Sequence, residues 1–247
     1  MLALAALSAT PGAFPEAADQ AATTTRFELP APSSLTRITP QPVHIDVYST
    51  MALIPAPDGK QSLLDLDGQP LGPRVDELQF CDLAARGTAV IEGATYQVVG
   101  TAREAQTFCG RYYSRLQRKQ PVAAGALGRS RFARVDWKYG LGVGGYRLVP
   151  WRTIAAPASV LGAGRAAYLP ALRDLMLPDG SKHDGYVFVA DLREAGASAQ
   201  IDLFVGLEDD APAASNMIRR VVGERTTPMH VIGDPAIVEA MRSIHTR

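Results

Sequence analysis

Asp191 and Asp202 stand eleven residues apart, each in an apolar run: GYVFVAD and IDLFVG. Asp202 is flanked by Ile201, Leu203 and Phe204. A carboxyl group in such surroundings is disfavoured as an anion, so it holds its proton to higher pH, as a general acid must. If Asp191 lies within a few ångströms, like-charge repulsion strengthens the effect. Taken by itself, the same pattern also fits a strand-end carboxylate bonded to a backbone turn, which is the commoner use of such a residue.

A second candidate is YGLGVGGYRLVPWRTIA, which spells G-x-G-x-x-G at Gly140, Gly142 and Gly145. In a dinucleotide site that pattern follows a strand and opens a helix whose N-terminal amides hold the pyrophosphate. Here the residues after it, Tyr146 to Ile154, alternate polar and apolar β-formers around Pro150. They predict a strand with an irregular start rather than a helix. Nucleotide binding is excluded on that ground. Asp184, in His183-Asp184-Gly185, reads as turn chemistry.

Composition narrows the field further. The 247 residues carry 25 basic and 25 acidic side chains, a balance that offers no handle for nucleic acid or an anionic membrane. No run approaches the roughly 18 apolar residues of a spanning helix. The four histidines (His44, His183, His230, His245) are scattered, with no spacing for a closed metal site, and no cofactor is expected. The two cysteines, Cys81 and Cys109, are too few for a disulfide scaffold. They predict a bridge if the chain is exported and buried thiols if it is not. Residues 1–40 open with the apolar run Leu2–Leu7, then turn Pro-, Ala- and Thr-rich. They read as the later part of an export signal, without its basic start, and a linker; a frayed Ala-rich terminus is the alternative.

The elements that must position these residues are short. The 18 prolines and 22 glycines between brief apolar runs favour many strands over long helices, hence a mainly β or β-rich α+β fold. VHIDVYST (43–50) alternates with period two; TAVI and TYQVVGTA form a hairpin across Glu92-Gly93-Ala94; RAAYLPAL, GYVFVADL, QIDLFVGL and PMHVI follow as strands. VDELQFCDLAAR and APAASNMIRRVV have helical spacing, the second opened by Asp209-Asp210. Residues 103–138, with the basic run Arg115–Lys119, read as a solvated face. The strands near 43–50, 88–101, 145–155, 166–170, 185–191, 200–205 and 228–232 are expected to close into one barrel, which removes exposed edges.

Three stretches then agree, in order and spacing, with one family: GVGGYRLVPWRTIAAPASVLGAGRAAYLPAL (142–172), LPDGSKHDGYVFVAD (177–191) and IDLFVG (201–206). Tyr48-Ser49-Thr50 and Phe80-Cys81 fit its earlier segments. Together they resemble the three-aspartate (3D) domain, related to the catalytic region of membrane-bound lytic transglycosylase A. The resemblance covers about 43–233. It implies a six-stranded double-psi β-barrel over 41–235, with a β-rich inserted region at about 52–140 and a C-terminal tail or helix at 236–247. It implies peptidoglycan glycan strands as the partner, in the periplasm or cell envelope, and a monomer is expected.

In that family three aspartates line the groove. Asp202 falls on the acid/base and Asp191 on the second. The third falls on Pro157, and Leu192–Ser198 replaces the family's glycine-rich loop D-x-G-G-x-I-K-G. One carboxyl suffices for lytic cleavage of a β-1,4 glycan: it protonates the leaving oxygen, then takes the proton of the sugar's own C6 hydroxyl. The anhydro product distinguishes this from two-carboxylate hydrolysis. Sugar contacts fall on Tyr48, Thr50, Gly144, Gly145, Tyr146 and Arg147, with a carboxylate the alternative partner for Arg147. The aromatics Tyr48, Tyr146, Trp151 and Tyr186 are as readily core residues. Two classes stay open: a lytic transglycosylase, and a glycan-binding or structural module that keeps the barrel and has lost the reaction.

Overall fold

A computed structural model of the chain describes residues 40–56, 58–115, 125–194, 199–223 and 225–246. The signal-like segment up to residue 39, most of the Arg115–Lys119 run and residues 195–198 lie outside them.

The chain is β-rich, and its centre is one long strand. β1 (Gln41–Leu53) carries the predicted alternation, with Val43, Ile45 and Val47 turned inward. It bonds three partners in succession. Residues 41–43 pair antiparallel with β11 (Thr227–Val231), residues 44–50 pair parallel with β10 (Gln200–Leu207), and residues 51–53 pair parallel with β4 (Thr88–Ile91). β10 continues to β7 (Thr153–Ala156), β7 to β9 (Tyr186–Leu192), β9 to β8 (Ala166–Tyr168), and β8 back to β11. The pairings therefore close a ring of six strands: β1, β10, β7, β9, β8 and β11. Inside it lie Val43, Ile154, Val187, Val189, Ile201, Leu203 and Val205, all buried.

The pair β4 and β5 (Ala94–Thr101) is not part of that ring. It extends the far end of β1 and goes on to β6 (Ser130–Val135), around a second core that includes Met51, Phe80, Ala89, Ile91 and Phe132. The expectation that 88–101 joins one barrel is corrected by this; the alternation of a strand does not say which sheet it enters. β6 also lies within the stretch read as a solvated face, and Phe132 in it is fully buried. The hairpin β2 (Gln61–Leu64) and β3 (Pro70–Val75) stands as a separate two-stranded sheet. The strand expected over 145–155 is shorter than its pattern. Only 153–156 pairs as a strand, because Trp151 takes a positive φ of 63° after Pro150 and turns the backbone. Leu141 and Arg147 make a single bridge ahead of it.

The longer helices among the described residues have the ends their sequences provide. α1 (Glu77–Arg86) begins in a reciprocal cap between Asp76 and Gln79 and ends at left-handed Gly87. α2 (Gly110–Arg115) is short. α3 (Ala211–Val222) follows the acidic turn Glu208–Asp210. α4 (Pro235–His245) is capped by Asp234 and ends with His245 buried against β7 and β9. No helix among the described residues is long and apolar enough to cross a membrane.

Cys81 on α1 is bonded to Cys109 just ahead of α2, with Cα atoms 5.6 Å apart, and both are buried in the second core. The bridge closes a sequence separation of 28. Loop-closure entropy for that length corresponds to about 3–4 kcal/mol of stability. Converting both cysteines to alanine is expected to lower the urea-unfolding free energy by about that amount. A change within experimental error would show that the second core holds without the bridge.

Candidate active site

The inward residues of β10 are Ile201, Leu203 and Val205, so Asp202 and Phe204 point to the outer face of the ring. On β1 the same parity turns Asp46 and Tyr48 outward, and the register sets Asp46 opposite Asp202 and Tyr48 opposite Phe204. On the other side of β10, Asp202 is opposite Ala155 of β7.

Asp191 reaches this face through a bulge. Val187 and Val189 point into the core, so unbroken alternation would bury Asp191 beside them. Between β7 and β9 the register instead runs Ile154 to Val189 and Ala155 to Asp191, which leaves Ala190 unpaired. The extra residue flips Asp191 outward, the re-aiming that bulges provide beside functional sites. The result is a lateral row: Asp46, Asp202, Ala155, Asp191. Asp191 and Asp202 are therefore not on neighbouring strands. β7 separates them, about 10 Å between backbones at two strand spacings. Ala155 contributes only a methyl there, so no side chain walls one carboxylate from the other.

Burial pushes the carboxyl of Asp202 above its usual range. The Gln200 amide and the Arg193 guanidinium pull it back down, and Asp46 raises it again. Asp191 is raised by burial first; the Leu192 amide opposes this and Asp202 adds to it. The like-charge neighbour that acts on Asp202 is thus Asp46, which sequence reasoning passed over although it stands two residues before Tyr48 on a strand of clear period two. Tyr48 is raised well above its ordinary value, chiefly by burial and then by Asp191 and Asp202. Its hydroxyl is buried without a hydrogen-bond partner among the described residues.

Both oxygens of Asp202 are engaged. Gln200 Nε2 donates to Oδ1 at 3.0 Å, and Arg193 Nε pairs with Oδ2 at 3.1 Å. Arg193 lies just beyond β9.

The glycine segment lies beside this face and forms its lip. Thr95 Oγ1 donates to the Lys138 carbonyl, and Gln97 holds Leu141 by both its amide groups. Trp137 Nε1 donates to the Leu148 carbonyl. Thr50 is buried and its hydroxyl donates to the Tyr139 carbonyl, so it fastens the lip. Gly144 and Gly145 are exposed at positive φ (70° and 79°) in a tight turn, and no helix follows. Gly142 is required sterically: a Cβ there would lie 2.0 Å from the Ala190 carbonyl, the backbone of the very bulge that turns Asp191 outward. Gly142→Ala is expected to cost about 1–3 kcal/mol, as overpacking does, and to displace the carboxyl end of β9. Denaturant midpoints test the first effect. An unchanged midpoint would mean that the lip yields freely.

Rings pack in series: Trp137 to Tyr139 at 6.3 Å, Tyr139 to Phe204 at 5.7 Å, and Phe204 to Tyr48 at 5.1 Å between centroids, with Phe204 buried. Among the described residues the Arg147 guanidinium, which lies over Trp137 at 4.6 Å, has no carboxylate partner, and its Nε is buried without a hydrogen bond. Tyr146 packs edge-on against Phe188 at 5.1 Å. Trp151 and Tyr186 are core residues, and Asp184 accepts the Tyr186 amide and pairs with Arg152.

Solved structures similar to this chain are lytic transglycosylases. The membrane-bound lytic murein transglycosylase from Agrobacterium tumefaciens shares 13% identity over 84% of this chain and 80% of its own, with a TM-score of 0.46. E. coli MltA with bound chitohexaose shares 11% over 77% and 71%, at 0.45. MltA from Neisseria gonorrhoeae shares 13% over 76% and 71%, at 0.42. No protein-family model matches the chain, and no curated protein sequence matches it.

Proposed function

We propose that the closed ring is a double-psi β-barrel and that the chain is a lytic transglycosylase, cleaving the β-1,4 glycan strand of peptidoglycan with formation of a 1,6-anhydro sugar. One observation carries this reading: Asp202 and Asp191, matched to the family motif by sequence, share an outer face with a buried Tyr48 hydroxyl that lacks a partner. A glycan lying over that face meets both carboxylates. Of the aromatic run beside it, the partly exposed Trp137 and Tyr139 supply flat faces for sugar rings.

Asp202 is the acid/base. Its proton goes to the glycosidic oxygen as the C1–O bond breaks. The carboxylate so formed removes the C6 hydroxyl proton while that oxygen bonds to C1, and Asp202 ends protonated again. No water and no cofactor enters the balance. Asp191 and Asp46 keep the local field negative, which favours the protonated acid and an oxocarbenium-like transition state. The disulfide supports an oxidising compartment, hence the cell envelope.

A second reading has its own observation. Arg193 and Gln200 occupy both oxygens of Asp202, as in a site that binds glycan without cleaving it. Incubation with purified sacculi separates the two. Anhydro-muropeptides seen by mass spectrometry support the enzyme; retention on sacculi without product supports the binding module.

A further inference from the structure

β6, which helps to line the second core, also buries a charge. Arg131 on that strand is 9% exposed, and among the described residues no other lysine, arginine, aspartate or glutamate is so deeply buried. A guanidinium keeps its charge at any pH the protein meets, and burying one is costly unless an anion faces it. Among the described residues Arg131 has no carboxylate partner. Residues 116–124, which lie outside them, contain no aspartate or glutamate. From residue 100 to residue 131 the chain carries seven basic residues and one acidic one, Glu104.

What Arg131 does have is an anchor. Its Nη1 donates to the Ser130 carbonyl at 3.0 Å, and to the Arg129 carbonyl and Gln106 Oε1 at 3.4 Å. Gln106 is fixed in turn, its Nε2 donating to the Ser62 carbonyl of β2 at 2.8 Å. The Ala102 amide donates to the Arg129 carbonyl and the Gln106 amide to the Gly128 carbonyl, so the backbone around the anchor is held as well. Nε and Nη2 of Arg131 have no acceptor among the described residues, and neither is one of the buried polar atoms left without a partner. They are therefore the part of the group that solvent reaches. These two N–H groups share one edge of the guanidinium and point in parallel, the fork that takes two oxygens of one anion. The exposed Arg103 and Arg129 add positive charge outside it.

We propose that the Arg131 fork is a binding site for a phosphate group, free or carried as a phosphomonoester on a larger ligand. Phosphate suits it better than a carboxylate. Its three oxygens and its charge of nearly two at neutral pH leave acceptor capacity for the exposed arginines once the fork has taken two oxygens. Because Nη1 is already tied down, the side chain loses little freedom when the anion arrives. The site lies outside the six-stranded ring, and the proposal does not rest on the glycan reading of the groove.

The test uses the whole chain and its Arg131→Lys and Arg131→Met variants, with inorganic phosphate, glycerol phosphate and acetate as probes at constant ionic strength. Proton–nitrogen NMR of the arginine Nε groups reads the fork directly, and the thermal midpoint reads linkage to folding. In the parent, phosphate is expected to move the Arg131 Nε–H signal saturably and to raise the midpoint by more than it does in Arg131→Met. Acetate binds about tenfold more weakly, as does phosphate in Arg131→Lys, which keeps the charge but loses one hydrogen bond to a charged group. Glycerol phosphate binding as tightly as phosphate assigns a carried group, and weaker binding assigns the free ion; both support the fork. Should either variant fail to fold, the parent's own Nε signal decides. A signal that stays put with phosphate, or moves equally with acetate, would overturn the proposal and leave Arg131 a structural anchor of β6.

Discussion

Asp202→Asn is expected to slow glycan cleavage about 100- to 10,000-fold, the range for loss of a general acid–base, while sugar binding is kept. Asparagine matches aspartate in size and can still accept from Gln200, so the outer face of β10 retains its shape. What it lacks is a titrating proton. Both half-reactions use that proton, first for the leaving oxygen and then in return from the C6 hydroxyl. Binding to the strand should hold or improve slightly, because one buried charge has been removed. Asp46→Asn acts on the same group more mildly: it removes the like charge opposite Asp202, so the acid titrates lower and the alkaline limb of the rate profile moves to lower pH. Asp191→Asn acts at one further remove, across β7. Equal rates for Asp202→Asn and the parent, under conditions where the parent releases product, would end the acid–base assignment.

The second large effect concerns pH and stability. His183 and His245 are buried, and burial holds each neutral, with pKa values lowered from 6.5 to about 4. His183 bonds the Trp151 carbonyl through Nε2 and accepts the Gly185 amide at Nδ1. His245 bonds Thr153 and the Met241 carbonyl and stacks on Phe188 at 4.6 Å. Between pH 4 and 6.5 the unfolded chain therefore binds protons that the folded chain refuses. This contribution is fully present above 6.5 and is lost as pH falls towards 4. It amounts to something on the order of 3 kcal/mol for each histidine. Asp191 and Asp202 work in the opposite sense: their raised folded values relieve a penalty as they protonate. Urea unfolding from pH 7 to 5 is expected to show a loss approaching two protons' worth of slope. Since the Arg147 amide donates to the His245 carbonyl, the last turn of α4 and the groove lip should loosen together. A stability independent of pH in this range would contradict the assignment.

How much of this was legible in the sequence follows from what each signal encodes. The alternation of β1, the strand character of β9 and β10, the glycine segment and the helix α1 could be read directly, and the two cysteines were read as a bridge on condition of export. The row of carboxylates could not. Asp191 has inward parity by counting from Val187 and Val189, and only the bulge at Ala190 turns it out. A bulge is decided by the partner strand and by Gly142 above it. Asp46 was visible in principle, two residues from Tyr48, but its importance depends on which strand pairs with β1. Arg193 carried no signal, since its partner is nine residues further along the chain. The boundary at Trp151 was hidden because positive φ in a tryptophan is imposed by packing, against propensity.

The central claim is that the sugar's own C6 hydroxyl, relayed by one carboxyl group, replaces water. Digestion of sacculi in oxygen-18 water tests it most directly, by mass spectrometry of the released ends. The account predicts 1,6-anhydro ends free of the heavy isotope. Reducing ends that carry oxygen-18 would mean that water attacks C1, and would contradict it.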